Sequence, residues 1–238
     1  MTRPLFRDDA YATEAPARVV SINDRGGVVL EAALFYPTGG GQPGDSGWLR
    51  WEGGEMAVAT TVKGEGEEIV LVPAEGAVLP PVGAEGKQAI DWARRYRLMR
   101  MHTALHLLSV VLPFPVTGGA VGEVKSRLDF AMEHPIEDKP AVEAALNALV
   151  AQDLPVTSEW ISDAELEANP GLVKTMSVQP PRGAGRVRLV RIGAEAPVDL
   201  QPCGGTHVAR TGEIGALRIG KVEKKGRLNR RVHLHLVE

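Results

Sequence analysis

His102 and His106 stand four residues apart in a stretch, residues 91–112, that contains neither Gly nor Pro. On a helix, side chains at i and i+4 leave the same face, so both imidazoles can grip one metal ion without deforming the backbone. Far downstream comes Cys203-Gly204-Gly205-Thr206-His207, a thiol and an imidazole separated by a glycine pair that lets a loop close on a metal. One Cys and three His make a complete tetrahedral set of a kind zinc favours. The set uses the single cysteine of the chain. Each half alone is weak, because paired histidines and isolated thiols are common in ordinary cores. A zinc protease would carry Glu after the first histidine as general base, but position 103 is Thr. A cysteine nucleophile is the other reading, and a soft thiolate beside three histidines is more readily captured by metal.

The elements that must position these groups can be read from the punctuation. Residues 1–85 form short strands between Gly and Pro, with Arg18–Ile22 and Val28–Ala32 flanking a turn at Asp24-Arg25-Gly26-Gly27. Further strands at 48–51, 56–62 and 68–72 predict a small barrel or sandwich. The Pro-, Gly- and Ala-rich stretch 73–86 marks the expected domain boundary, giving 1–85 as a β-barrel and 86–238 as a second domain. There, Leu98, Met101, Leu105, Leu108 and Leu112 recur as one helical stripe. Pro140 opens a second helix buried through Val142, Ala145, Leu146, Leu149 and Val150. Ser162 with Glu165 forms a capping box for a short third one. Strands return at 187–192, 198–201, 214–222 and 232–237. His233 and His235, alternating with leucines, are expected to face solvent. Helices grouped before strands indicate α+β, with an antiparallel sheet and a histidine-bearing helix.

Composition excludes little. The chain of 238 residues is 44% hydrophobic and 24% charged, ordinary for a globular protein. No run approaches the roughly 18 apolar residues of a membrane span, and the N-terminus lacks a secretory apolar block. A single cysteine fits a reducing cytoplasm. The net charge of −3 does not advertise a nucleic-acid partner, so any such contact must be local. Two clusters qualify, Arg94, Arg95, Arg97 and Arg100, and then Lys221, Lys224, Lys225, Arg227, Arg230 and Arg231.

His102-Thr-Ala-Leu-His106 with Cys203-Gly-Gly-Thr-His207 resembles the editing domain shared by alanyl- and threonyl-tRNA synthetases. The free-standing form of that domain, the AlaX alanyl-tRNA editing family, is the most similar. Phe35-Tyr36-Pro37-Thr38-Gly39-Gly40-Gly41-Gln42-Pro43-Gly44-Asp45-Ser46-Gly47 is similar to the glycine-rich motif preceding the domain in alanyl-type members. Gly122 to Phe130 is similar to the segment after the histidine helix. The absence of an adenylate-forming domain here points to a trans-acting editor, and a C-terminal helical extension is not expected.

The resemblance implies an N-terminal β-barrel, an α+β editing domain, one Zn²⁺ per chain, and hydrolysis of the ester of Ser-tRNA(Ala), with Gly-tRNA(Ala) as a further candidate. The ligands would be His102, His106, Cys203 and His207, with His102 and His106 at the reacting centre. Zinc could activate water or only orient the substrate, and both stay open. An editing pocket offers polar partners to the serine hydroxyl, and alanine leaves them unpaired. Thr103 and Thr117 are candidates for that contact, with Gln42 weaker. Thr103 could equally bond a carbonyl one turn back. Gly40 and Gly41 could bring backbone amides to the terminal adenosine, or form only a tight turn. Asp45 could orient a histidine or a backbone amide, and Asp129 could support a zinc histidine or form a surface ion pair. The implied partner is the acceptor end of tRNA(Ala), with no DNA or membrane, and Arg94, Arg95, Arg97, Lys125, Lys224 and Lys225 are candidate phosphate contacts. Three readings compete: a tRNA-editing esterase on the alanyl or threonyl branch, a zinc-stapled RNA-binding module without turnover, and a zinc hydrolase of small esters. Oligomeric state is open.

Overall fold

The computed structural model describes residues 1–174 and 185–237. The chain divides into two compact units, Met1–Tyr96 and Arg97–Glu238.

The first unit contains eight strands: β1 (Arg3–Pro4), β2 (Glu14–Ile22), β3 (Val28–Leu30), β4 (Ala32–Ala33), β5 (Gly47–Trp51), β6 (Gly54–Lys63), β7 (Ile69–Pro73) and β8 (Glu85–Ile90). Six of them close a barrel in the order β2-β3-β7-β6-β5-β8. Closure leaves no exposed sheet edge on these strands. Alternation along each strand sends Val19, Leu30, Leu49, Met56, Val58, Leu71 and Ile90 into one apolar core. The Pro- and Gly-rich stretch precedes β8, and β8 closes the barrel by pairing with both β2 and β5. The unit therefore runs past residue 85.

The glycine-rich segment forms a compact loop between β4 and β5. Gly39 and Gln42 exchange both backbone bonds, and Gly40 and Gly41 supply the positive φ values, 57° and 81°, that this turn requires. Gly44 lies so close to Thr61 that a Cβ would fall 1.9 Å from its carbonyl oxygen. Asp45 accepts the Tyr36 amide (2.6 Å) and an ion pair from Arg95, whose guanidinium also donates to the carbonyls of Leu34 and Ala10.

The division between units falls within α1 (Trp92–Val111). The second unit then runs β9 (Val116–Ala120), β10 (Lys125–Ala131), α2 (Lys139–Ala151), β11 (Val156–Ser162), α3 (Asp163–Ala168), β12 (Arg186–Ile192), β13 (Asp199–Pro202), β14 (Leu217–Gly226) and β15 (Asn229–Leu236). One antiparallel sheet has the order β14-β15-β10-β9 and another β11-β12-β13. The fold is α+β. Asp138 caps α2 by accepting from Ala141 N, with Pro140 in the first turn, and Ser162 and Glu165 close the capping box of α3.

Helix α1 carries more than one apolar stripe. Leu98, Met101, Leu105, Leu108 and Leu112 are buried, and so are Met99, Thr103, Leu107 and Ser109. It is a core helix, which is why its histidines lie inside the protein. Two expectations change. The strand expected from Ile214 begins at Leu217, because Thr211–Ile214 wind into a 3-10 turn whose Thr211 hydroxyl accepts from the Leu154 amide. His233 is buried rather than solvent-facing: its Cβ lies beside Gly220 on β14, a position the His235 ring covers, and Glu223 lies 3.6 Å from its Nε2.

Candidate metal centre

Helix α1 delivers His102 and His106 one turn apart, and the loop after β13 delivers Cys203 and His207. One potential ligand atom from each of the four lies within 4.8 Å of all the others. Cys203 Sγ is 3.5 Å from His102 Nε2 and 3.3 Å from His207 Nε2. A tetrahedron with zinc-like bond lengths separates a sulfur and a nitrogen ligand by about 3.5 Å, so these edges already match. The three histidines are each 6% exposed.

The surrounding groups decide which ring nitrogen carries hydrogen. Asp199 Oδ2 is 2.8 Å from His106 Nδ1, so that nitrogen donates and Nε2 keeps its lone pair. Thr103 Oγ donates to the Met99 carbonyl (2.9 Å) and lies 3.2 Å from His207 Nδ1. With its one hydrogen used, the hydroxyl accepts from His207 Nδ1, and again Nε2 is left for a ligand. The loop itself is braced by Arg188, which donates to the carbonyls of Cys203 and Gly205 (2.9 and 3.0 Å).

Electrostatics follow from this packing. Burial pushes the Cys203 thiol up, but His102 and His207 outweigh it and hold it well below the usual range. Burial also opposes a cation on His106, yet the bond to Asp199 and the adjoining thiolate raise it to about 9. Burial pushes His207 down to about 3, against the pull of the thiolate. Asp199 is held at about 2, where His106 and Lys174 overcome the cost of burying it. One thiolate and imidazoles with free Nε2 lone pairs fit a divalent transition metal.

Residues 187–233 match the family described as the threonyl and alanyl tRNA synthetase second additional domain. Over 232 residues the chain is 40% identical to an alanine–tRNA ligase of Pyrobaculum neutrophilum, covering 94% of this chain but 25% of the ligase. It is also 36% identical over 248 residues to the alanyl-tRNA editing protein AlaX-M of Methanosarcina acetivorans, covering 100% of both, and 37% identical to that of Methanosarcina barkeri. The chain belongs to the AlaX-M family. It spans a quarter of the synthetase it matches and the whole of its AlaX-M relatives.

The other sequence-derived residues of this AlaX-M member fall in varied places. Thr103 is fully buried against His207, and its hydroxyl makes the bond one turn back. Thr117, on edge strand β9, donates to the Asp129 carbonyl (3.1 Å) and accepts from Asn229 Nδ2 (2.8 Å). In the first unit, Gln42 is buried in the glycine turn while Gly40 and Gly41 are exposed. Arg95 is fully buried in its ion pair with Asp45, which takes its charge away from any phosphate. Arg94 donates to the Gly44 carbonyl (2.7 Å), and Arg97 is exposed. Lys125, Lys224 and Lys225 are exposed in the second unit. Asp45 orients a backbone amide, and Asp129 joins an ion network with Arg127 and Arg231. Sequence reasoning missed Lys174 and gave Asp199 only a place in a strand. Among the described residues, no helix is long and apolar enough to cross a membrane.

Proposed function

We propose that this protein is an aminoacyl-tRNA hydrolase that acts on its own, cleaving the ester of Ser-tRNA(Ala) at a zinc-containing site. The observation that carries the reading is the convergence of His102, His106, Cys203 and His207 in a chain that aligns end to end with AlaX-M editing proteins. Zinc held firmly by three of these residues, with the fourth displaceable, would supply either a more acidic bound water or a point of attachment for the substrate. The protein residues do the rest. Asp199 and Thr103 hold the ring nitrogens of His106 and His207 in the ligating tautomer, so little reorganisation is needed when charge develops on the ester oxygen. Burial of the cluster excludes bulk water and strengthens each of these interactions.

Discrimination would come from hydroxyl partners. Thr117 stands on β9, the last strand in its sheet's order, half-buried, between an amide donor and a carbonyl acceptor. A serine hydroxyl would exchange bonds there, whereas the alanine methyl would leave polar groups unpaired at a cost of about 1–3 kcal/mol. Thr103, whose buried hydroxyl is already engaged by Met99, His207 and Val208, would contribute only indirectly, by holding the His207 ring. The acceptor stem would meet exposed cations of the second unit, Lys125, Lys224 and Lys225, and binding would weaken with salt.

The test is release of serine from Ser-tRNA(Ala), run beside Ala-tRNA(Ala) and Ser-tRNA(Thr). Rapid release from the first alone is expected. Faster release from Ser-tRNA(Thr) would move the activity to the threonyl branch. No release by folded, zinc-loaded protein would overturn the enzyme reading and leave a metal-stapled RNA-binding module.

A further inference from the structure

Behind His106 lies a polar chain that no ligand motif includes. Asp199 has a side chain with no solvent exposure, and each of its oxygens is claimed. Oδ2 accepts from His106 Nδ1 (2.8 Å) and from Gln201 Nε2 (2.8 Å), while Oδ1 accepts from Lys174 Nζ (2.5 Å). Lys174 is 31% exposed at its side chain, so the chain runs from the buried ligand toward the surface. The carbonyl of Lys174 accepts from the Val116 amide, the first residue of β9, next to Thr117. Lys174 thus ties the strand bearing Thr117 to the support of a metal-facing histidine.

We propose that Asp199 and Lys174 are positioning residues that fix His106 with hydrogen on Nδ1 and so present Nε2 to the metal. The inference rests on the metal site of the proposed function but not on its substrate. A buried carboxylate with three donors can hold only a donating nitrogen opposite it. Lys174 supplies the positive charge that keeps the carboxylate tolerable inside the protein. Gln201 fills the remaining lone-pair direction and stops Asp199 from rotating away. Neither Asp199 nor Lys174 is a ligand or a reacting group in this arrangement.

Supporting groups of this kind commonly carry 10–100-fold in metal affinity. Asp199→Asn keeps shape and volume but can offer an amide N–H to His106, which favours the tautomer with hydrogen on Nε2. Zinc affinity, read by competition with a chromophoric chelator, is expected to fall 10–100-fold in Asp199→Asn. Lys174→Met is expected to fall toward the lower end of that range, and Lys174→Arg to recover most of it. In zinc-loaded protein with ¹⁵N-labelled histidine, the His106 Nδ1 proton is expected as a protected, downfield signal that Asp199→Asn abolishes. Circular dichroism and thermal melts identify any variant that fails to fold, and Lys174→Met, at a partly exposed site, keeps the test open if Asp199→Asn does.

Zinc affinity within twofold of wild type in folded Asp199→Asn, with the Nδ1 signal retained, would overturn the inference. So would a wild-type protein that binds no zinc. Because neither readout uses tRNA, zinc binding by this route without deacylation would sink the proposed function and leave the positioning role standing.

Discussion

Thr103 Oγ lies 3.2 Å from His207 Nδ1 while giving its own hydrogen to the Met99 carbonyl, so a helix residue sets the tautomer of a histidine on a distant loop. The same oxygen lies 3.3 Å from the Val208 amide. Replacing Thr103 with Val keeps the shape and leaves two buried donors unmet, at about 1–3 kcal/mol for each such group. We expect Thr103→Val to lower the thermal midpoint and weaken zinc binding about tenfold, in the range for groups supporting a ligand. Thr103→Ser, with the hydroxyl retained, should stay near wild type in both. Chelator competition and a thermal melt on the three proteins check this.

Removal of the metal should be reversible and should act on stability as well as turnover. A ligand that binds only the folded state stabilises it by RT ln(1 + [L]/Kd). Chelator treatment is therefore expected to lower the melting temperature and abolish serine release, with both restored by zinc. Cys203→Ala should show the chelated phenotype and respond weakly to added zinc, while keeping most affinity for uncharged tRNA. Filter binding, metal analysis and the deacylation assay separate these outcomes.

In the first unit, Arg95 and Asp45 form a pair with side chains 0% and 2% exposed. Removing one partner leaves an uncompensated buried charge, which costs about 3–5 kcal/mol. Arg95→Met should therefore destabilise the first unit far more than Arg97→Met, although both sit in one arginine run. Chemical denaturation followed by the fluorescence of Trp51 and Trp92, both packed against that unit's core, is the measurement.

Asp129 gives a pH signature outside the metal cluster. Burial works against its charge, but bonds from Arg231 and Arg127 outweigh it and hold its carboxyl below the usual value. A depressed carboxyl stabilises fully above its unfolded value near 4 and loses that contribution as pH falls through the folded value. The gap in melting temperature between wild type and Asp129→Asn should be constant above about pH 5 and shrink steadily below pH 4. A gap unchanged down to pH 2 would count against the ion network.

The ligand set was legible because each half obeys a local rule. His102 and His106 lie in a Gly- and Pro-free run, and Cys203 and His207 flank a glycine pair. What supports them was not legible, since Asp199 meets His106, and Lys174 meets Asp199, only through tertiary packing. Arg95 misled for the same reason: its neighbours are exposed or partly exposed, and its partner Asp45 is fifty positions earlier. Strand β9 was missed because Gly118 and Gly119 weaken the pattern of a strand. They fit beside Asp129 and Leu128 of β10, and a Cβ at Gly119 would fall 2.9 Å from Leu128 Cδ2. The barrel boundary was placed early because its closing strand, β8, begins Glu-Gly-Lys-Gln and shows little apolar alternation.

His102 and Cys203 touch across a separation of 101 positions. At about 5–20 residues per second of synthesis, roughly 5–20 s pass between their appearances on the growing chain. For that interval the barrel strands and α1 are already made, but His102 and His106 have no thiolate to meet. The four-residue set therefore cannot assemble before the ribosome has made residue 207, and a nascent chain stalled before residue 203 should hold zinc no better than two histidines on a helix.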